Sequence, residues 1–396
     1  GEKSILFTFI VITGGRRLTL SSSPLQQNKL RKQTGDMEQP PKQLFIQFAG
    51  QGVKYIDELR RLYTSYPDMQ AFIQEAIAVV KQQKTAYDDA QTGFFSQGLD
   101  ADVWINQPDK TPDAGYLSSS PLSHPFIFLT QISNYISILK EGVDPRLLTA
   151  HTHSVTGFST GVVAAILISL DLDLDQLCEL ALKVQAMFFW QGVRCQQSMT
   201  RFGCAPELDT QKLDSIEGSP SCMASVSDLP LEQLTPLIEE FSAYGVVHPA
   251  YELFPGRWIL AGLPENLLAF KYFLQEKAQG KEWKYIPSTI AAHCPFLRYA
   301  LETSPSDARR AGLDIQGNHL KIPVWANDMG KDLRQSEDVI HDVMEAYFTK
   351  PAMWSKQIAA LQPENGIRYV LDFGPGPGVA SLTENYLRES EIKVIR

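Results

Sequence analysis

Gly157-Phe158-Ser159-Thr160-Gly161 places a serine midway between two glycines. In a G-x-S-x-G turn the small flanking residues let a strand reverse sharply into a helix, which exposes the hydroxyl. A serine so placed sits at a helix N-terminus, where amides and the dipole favour negative charge. The chemistry it suits is nucleophilic attack on an acyl carbon. An apolar run over 162–170 (VVAAILISL) follows and supplies the helix. The same five residues also suit a helix cap, so the motif alone leaves both readings open.

A serine nucleophile needs a base. Seven histidines are available: His124, His151, His153, His248, His293, His319 and His341. His293, in Ala291-Ala-His-Cys-Pro-Phe-Leu297 ahead of a predicted helix, is the best placed of several candidates. His151 and His153 form an H-x-H pair without Cys, Asp or Glu at ligand spacing, which reads as a loop and not as a metal site. Asp171-Leu-Asp-Leu-Asp175 resembles the start of a calcium loop. Gln176 stands where the turn glycine belongs and Leu182 where the bidentate Glu belongs, so helix capping is the better reading. Gly374-Pro-Gly-Pro-Gly378 lacks the Lys-Ser/Thr of a phosphate cradle and reads as a strand-ending turn.

The chain has 396 residues, 44% hydrophobic and 20% charged, with net charge −9. That is an ordinary globular composition, ample for a large core. Residues 1–36 carry six basic and two acidic side chains, a net of +4, so the remainder carries −13. An acidic body speaks against nonspecific nucleic-acid binding. The longest early apolar run, 5–13, is too short to span a bilayer, so no membrane partner is expected. Five cysteines without a C-x-x-C pair suggest neither a disulfide framework nor zinc. They fit a reducing, cytoplasmic setting.

Residues 1–42 read as a leader or tail without stable structure. Order begins with a strand over 43–49, then helices over 54–63, 69–84 and 127–141. A strand ends at Gly157, a helix follows over 160–170, and another over 176–193 is capped by Asp171 with Asp173 or Asp175. Residues 219–284 change character: a strand at 223–226, a helix at 230–241, strands at 246–252 and 258–261, and a helix at 264–279. That β-α-β-β-α order predicts a small ferredoxin-like subdomain inserted between 43–218 and 285–396. A strand near 283–288, helices near 296–303 and 337–361, and a strand at 368–373 complete an α/β core with a parallel sheet.

In combination, several segments resemble one family. They are Phe48-Ala-Gly-Gln-Gly52, Asp57-Glu-Leu-Arg-Arg-Leu-Tyr63 and Trp104-Ile-Asn-Gln-Pro-Asp-Lys-Thr-Pro-Asp-Ala-Gly-Tyr-Leu117, followed by Gly157–Gly161 and Phe188-Phe-Trp-Gln-Gly-Val-Arg-Cys195. Pro255-Gly-Arg-Trp-Ile-Leu-Ala-Gly262, Ala292-His-Cys-Pro-Phe-Leu297 and Asp372-Phe-Gly-Pro-Gly376 complete the set. Over 43–396 the chain resembles the N-terminal acetyltransferase domain of fungal-type fatty acid synthase β subunits. Starter-unit acyltransferases of polyketide synthases are next. The resemblance implies an acyltransferase fold with an α/β-hydrolase-like core. It also implies ping-pong transfer from acyl-CoA to the phosphopantetheine of an acyl carrier protein, with no permanently bound cofactor or metal. Ser159 would be the nucleophile and His293 its base, oriented by the Tyr347 carbonyl ahead of Pro351-Ala-Met-Trp354. The Gln51 and Thr160 amides would form the oxyanion hole. Other domains of a multidomain synthase would be partners, this segment opening a longer polypeptide.

The chain departs from that pattern in places. Malonyl-specific relatives carry an arginine where Gln191 stands before Gly192, and its guanidinium forks onto a carboxylate. Gln191 cannot neutralise one, so an uncharged acyl group, acetyl or longer, is expected. Arg194, one turn on, is the residue that could replace the arginine. Phe158 replaces the family's histidine beside the nucleophile and would line an apolar acyl pocket. Two further readings fit the same motifs: a serine acyl hydrolase, which usually adds an acidic triad member, and a catalytically weak scaffold domain within a synthase, which Phe158 keeps open.

Overall fold

The computed structural model describes residues 8–13, 16–21, 41–87, 89–209, 221–328 and 330–396. The chain opens with β1 (Thr8–Thr13) and β2 (Arg16–Ser21), then runs through β3 (Leu44–Phe48), α1 (Ile56–Ser65), α2 (Pro67–Thr85) and α3 (Ser120–Lys140). β4 (Thr152–Gly157), α4 (Val162–Ser169) and α5 (Leu174–Thr200) follow. Next come β5 (Met223–Val226), α6 (Leu231–Phe241), β6 (Val247–Phe254), β7 (Arg257–Gly262), α7 (Pro264–Lys277) and β8 (Trp283–Ile286). The last stretch holds α8 (Arg298–Arg310), β9 (Val324–Trp325), α9 (Val339–Thr349), β10 (Ala352–Met353), β11 (Tyr369–Asp372), α10 (Gly378–Tyr386) and β12 (Lys393–Ile395).

The larger sheet has the order β12-β11-β3-β4-β9 and every pairing is parallel. β3 is apolar but for Gln47 and all five of its residues are buried, as burial on both faces requires. β3 and β4 end in step, Phe48 opposite Gly157. Their C-terminal ends therefore release two loops side by side, the place where open α/β sheets hold ligands. α4 is apolar around its whole circumference and fully buried, which makes it a central helix.

The smaller sheet has the order β10-β6-β7-β5-β8. β5 to β8 pair antiparallel in the ferredoxin-like 2-3-1-4 arrangement, and β10 adds parallel to the β6 edge. This unit has its own core, including Phe241, Trp258, Leu260 and Phe270. α5 starts with a capping box: Asp173 Oδ1 accepts from Gln176 N at 2.9 Å and Asp173 N donates to Gln176 Oε1 at 3.2 Å. None of the helices described is long and apolar enough to cross a membrane.

Several expectations shift. Thr8–Thr13 and Arg16–Ser21 form an antiparallel hairpin with Thr13 opposite Arg16, so part of the expected unstructured 1–42 segment is paired. The sequence carries a signal for this pairing, Gly14-Gly15 between two strand-like runs. α3 starts at Ser120, well ahead of the expected start. Pro121 sits in its first turn, where no N–H is needed, and Pro125 is accepted inside because the helix is buried from Ser120 to Ser133. The expected helix over 337–361 breaks after Thr349, just ahead of Pro351.

α5 runs on to Thr200 through Gly192 because that glycine is a contact point with α3. A Cβ there would lie 2.2 Å from the Ser120 carbonyl oxygen. Helix propensity favours Ala over Gly by about 0.8–1.0 kcal/mol, while forcing two backbones apart costs about 1–3 kcal/mol or more. Gly192→Ala is therefore expected to lower the urea midpoint of unfolding. A raised midpoint would mean that α3 and α5 do not meet at this residue.

Candidate functional site

β4 delivers the serine. Phe158 N donates to the Phe48 carbonyl at 2.9 Å, and Ser159 then turns into the left-handed region with φ 53. The two loops touch: a Cβ on Gly50 would lie 2.3 Å from the Phe158 carbonyl oxygen, and one on Gly161 2.3 Å from that of Ala49. Asn327, just beyond β9, holds the Ser159 peptide from both sides. Its Oδ1 accepts from Ser159 N at 3.1 Å and its Nδ2 donates to Ser159 O at 2.8 Å. Gln357 Nε2 in turn donates to Gly157 O at 2.9 Å and Thr156 Oγ1 at 3.0 Å. The Tyr251 hydroxyl donates to Gln357 Oε1 and lies 3.3 Å from Asn327 Oδ1.

Ser159 Oγ lies 2.9 Å from His293 Nε2, across 134 residues of chain. His293 Nδ1 is 3.2 Å from both the Ala346 and the Lys350 carbonyl oxygens. Carbonyls only accept, so Nδ1 carries the proton and Nε2 is left bare to take one from the serine. The imidazole is buried, and burial pushes its pKa down to about 4 against the pull of the two carbonyls. It is neutral at pH 7, the form a base needs.

Gln51 lies in the turn after β3, and Thr160 is second in the helical turn Ser159–Gly161, whose first amides have no acceptor within the helix. The Gln51 side chain is fixed: Nε2 donates to Ser123 Oγ at 2.8 Å, and the Tyr347 hydroxyl donates to Oε1 at 3.1 Å. The same hydroxyl lies 2.7 Å from His124 Nε2, whose ring is anchored at the Ser120 carbonyl. Above Ser159 is a cavity of about 30 Å³ whose wall includes Phe158, Met223, Ile259, Ile286, Pro287 and Ala292.

Of the residues singled out in the sequence, Ser159, His293, Gln51 and Phe158 line this cavity, and Thr160 adjoins them. Phe158 stacks on Tyr251 at 4.2 Å and packs on Trp354 at 5.5 Å. Two residues differ from expectation. The Tyr347 carbonyl accepts the backbone N–H of His293 at 2.9 Å, and the ring nitrogen goes to Ala346 and Lys350 instead. His293 is itself in a left-handed conformation, φ 59, and its ring meets the carbonyls of Ala346 and Lys350. Gln191 is buried in α5 outside the cavity lining, because Gly192 beside it is packed on α3; its Oε1 has no hydrogen-bond partner among the described residues. Arg194 is not free to replace an arginine there: it forks onto buried Asp307 at 3.0 and 3.3 Å. Asn327, Gln357 and Tyr251 carried no sequence signal. His151 Nδ1 faces the Pro41 carbonyl and His153 Nδ1 the Ser154 hydroxyl. Among the described residues no three His, Cys, Asp or Glu side chains gather as a metal site.

Residues 46–293 match the family described as "Starter unit:ACP transacylase in aflatoxin biosynthesis". The chain is 28% identical over 404 positions to a fatty acid synthase beta subunit of Cochliobolus carbonum, which covers 96% of this chain and 19% of the relative. It is 28% identical over 375 positions to the fatty acid synthase subunit beta of Schizosaccharomyces pombe, covering 88% and 18%. The chain thus spans about a fifth of the length of these relatives. Among solved structures, the malonyl CoA-acyl carrier protein transacylase of Clostridium perfringens superposes with TM-score 0.63 at 19% identity, over 89% of this chain and 92% of that one. A malonyl-transacylase solved in complex with a type II PKS acyl-carrier protein gives TM-score 0.63 at 17% identity, over 89% and 96%. These likenesses fix the fold.

Two outcomes follow from the geometry. Phosphonylation of Ser159 by a fluorophosphonate, read by intact mass, should stay level from neutral pH to about pH 5 and be half lost near pH 4; a fall centred at 6.5 would mean a solvated imidazole. Asn327→Ala removes both bonds to the Ser159 peptide and leaves buried groups unpaired, costing about 2–4 kcal/mol in urea unfolding and slowing the labelling. Unchanged labelling would show that Asn327 does not hold the turn.

Proposed function

The chain belongs to the starter unit:ACP transacylase family, and from that premise we propose that it moves a non-carboxylated acyl starter group from acyl-CoA, through an ester on Ser159, to an acyl carrier protein in fatty acid or polyketide synthesis. The observation that carries this reading is the 2.9 Å contact between Ser159 Oγ and His293 Nε2 at the floor of an apolar cavity. Ser159 Oγ attacks the thioester carbonyl as its proton passes to His293 Nε2. The Gln51 and Thr160 amides hold the oxyanion, each donor being worth about 10²–10³ in rate. Collapse expels the coenzyme A sulfur, which takes the proton from His293. In the second half, the phosphopantetheine thiol gives its proton to His293 and attacks the Ser159 ester; the C–O bond breaks, Ser159 Oγ takes that proton back from His293, and the acyl group leaves on the thiol.

The lining supports an uncharged acyl group. Among the described residues that line the cavity none is a lysine or arginine, so a malonyl carboxylate would be desolvated against them without a counter-charge, a cost of several kcal/mol. A hydrolase is less well supported: the groups at His293 Nδ1 are main-chain carbonyls, where such enzymes usually place an acid. A scaffold role is less well supported too, since Phe158 packs on Tyr251 and leaves the Ser159–His293 contact intact. Other synthase domains are the expected partners.

The test is a panel of acyl-CoA donors with carrier protein, measuring carrier thioester against free acid. Uncharged donors should exceed malonyl-CoA by about tenfold or more. Ser159→Ala should lose about 10³-fold or more, and His293→Ala about 10²–10⁴. Free acid as the main product would favour the hydrolase, and no Ser159 ester with any donor would favour the scaffold.

A further inference from the structure

Gln51 lies beyond Phe48, the last residue of β3 and of its pairing with β4. Gly52 follows it with φ 88. Among the described residues the Gln51 backbone N–H meets no acceptor, so the sheet does not fix that amide. The side chain does, through two buried hydroxyls: Ser123 Oγ at 2.8 Å and Tyr347 at 3.1 Å. Ser123 belongs to α3 and Tyr347 to α9. Tyr347 also reaches the base. Its carbonyl accepts the His293 backbone N–H at 2.9 Å, and its ring meets the imidazole edge-on with centroids 5.4 Å apart.

His124 aims the Tyr347 hydroxyl. Its Nδ1 faces the Ser120 carbonyl at 2.8 Å. A carbonyl only accepts, so Nδ1 carries the ring proton and Nε2 is bare. The hydroxyl, 2.7 Å from Nε2 and 3.1 Å from Gln51, thus has one proton and two claimants. The setting that satisfies every group gives the proton to His124 and turns the Gln51 amide over. The Gln51 nitrogen then donates to the Tyr347 oxygen, and its carbonyl accepts from the Ser123 hydroxyl. Both ties to Gln51 persist with their directions exchanged.

We propose that the Tyr347 hydroxyl is a positioning group, which holds Gln51 so that its unpaired amide keeps a fixed place relative to His293 across Ser159. The inference rests on the reading of Ser159 as nucleophile and of the Gln51 amide as oxyanion donor. Carbonyl and ring fix the base, the hydroxyl fixes the donor, and one buried residue keeps the two in register. A donor stabilises an oxyanion because it is already in place when charge develops. A displaced donor costs rate and leaves the binding of the uncharged thioester untouched.

Fluorophosphonate labelling of Ser159 and acyl transfer to carrier protein are measured in the unaltered chain, Tyr347→Phe, Gln51→Ala and the double variant. Tyr347→Phe keeps ring and carbonyl and removes the hydroxyl; Gln51→Ala keeps the amide and removes the tie. Each should slow labelling about tenfold and lower the kcat of transfer similarly with KM unchanged. The pH midpoint of labelling should stay in place. The double variant should be no slower than the slower single one, because both changes cut the same link. Tyr347→Phe labelling at the full rate overturns the inference, even with a lowered urea midpoint, since the hydroxyl would then support only the fold. Losses that multiply in the double variant overturn it, and so does a moved pH midpoint, which would put the effect at His293. Failed transfer with intact Ser159 labelling sinks the acyl-transfer reading alone; an unaltered chain that does not label at Ser159 sinks both.

Discussion

Ser159 is held where serine does not prefer to be. A left-handed backbone costs a side chain with a Cβ about 1–3 kcal/mol, and this one persists because its peptide is bonded on both faces by Asn327. Behind that clamp stand Gln357, gripping the peptide before the turn, and Tyr251. Each comes from a different part of the fold: Asn327 follows a strand of the larger sheet, Tyr251 lies in the smaller one, and Gln357 ends the short helix after β10. The strain is thus offset by the assembled structure, not by the turn itself. His293 shares the same device, with its own left-handed backbone tied to Tyr347 and its ring to the neighbouring carbonyls.

The site is electrically quiet at rest. Both buried imidazoles near it, His124 and His293, are held neutral by burial, and the cavity wall is apolar. In the proposed reaction charge appears only when the serine attacks, as an oxyanion and an imidazolium together. In that reaction main-chain dipoles serve both: amides at Gln51 and Thr160, and the carbonyls of Ala346 and Lys350 at His293 Nδ1. Using dipoles avoids a permanently buried carboxylate, whose desolvation would be costly. In a dry pocket each dipole is worth more than in water. The packing of Phe158 against Tyr251 and Trp354 keeps water from the back of this arrangement and joins the two sheets across β10 and β6.

The sequence by itself determined what is local. The apolar runs of β3 and α4, the Asp173 cap and the strand-helix order of the small unit are each written in short windows, because helix and strand periods are properties of neighbouring residues. The Ser159 turn is legible for the same reason in part: Gly157 is required by a contact within the motif, against Gly161, while Gly161 itself is required by Ala49 on the neighbouring loop. Gly14-Gly15 between two strand-like runs is local in the same way, whereas Pro125 stands inside α3 because burial there outweighs its local penalty. Only the tertiary structure decided which carbonyls face His293, that Asn327 reaches Ser159, and that Gln191 lies outside the cavity lining while Arg194 is taken by Asp307. These pairings join residues up to 168 positions apart. Nothing in a residue's type or spacing encodes such a distance; it is settled when two cores and their shared boundary pack.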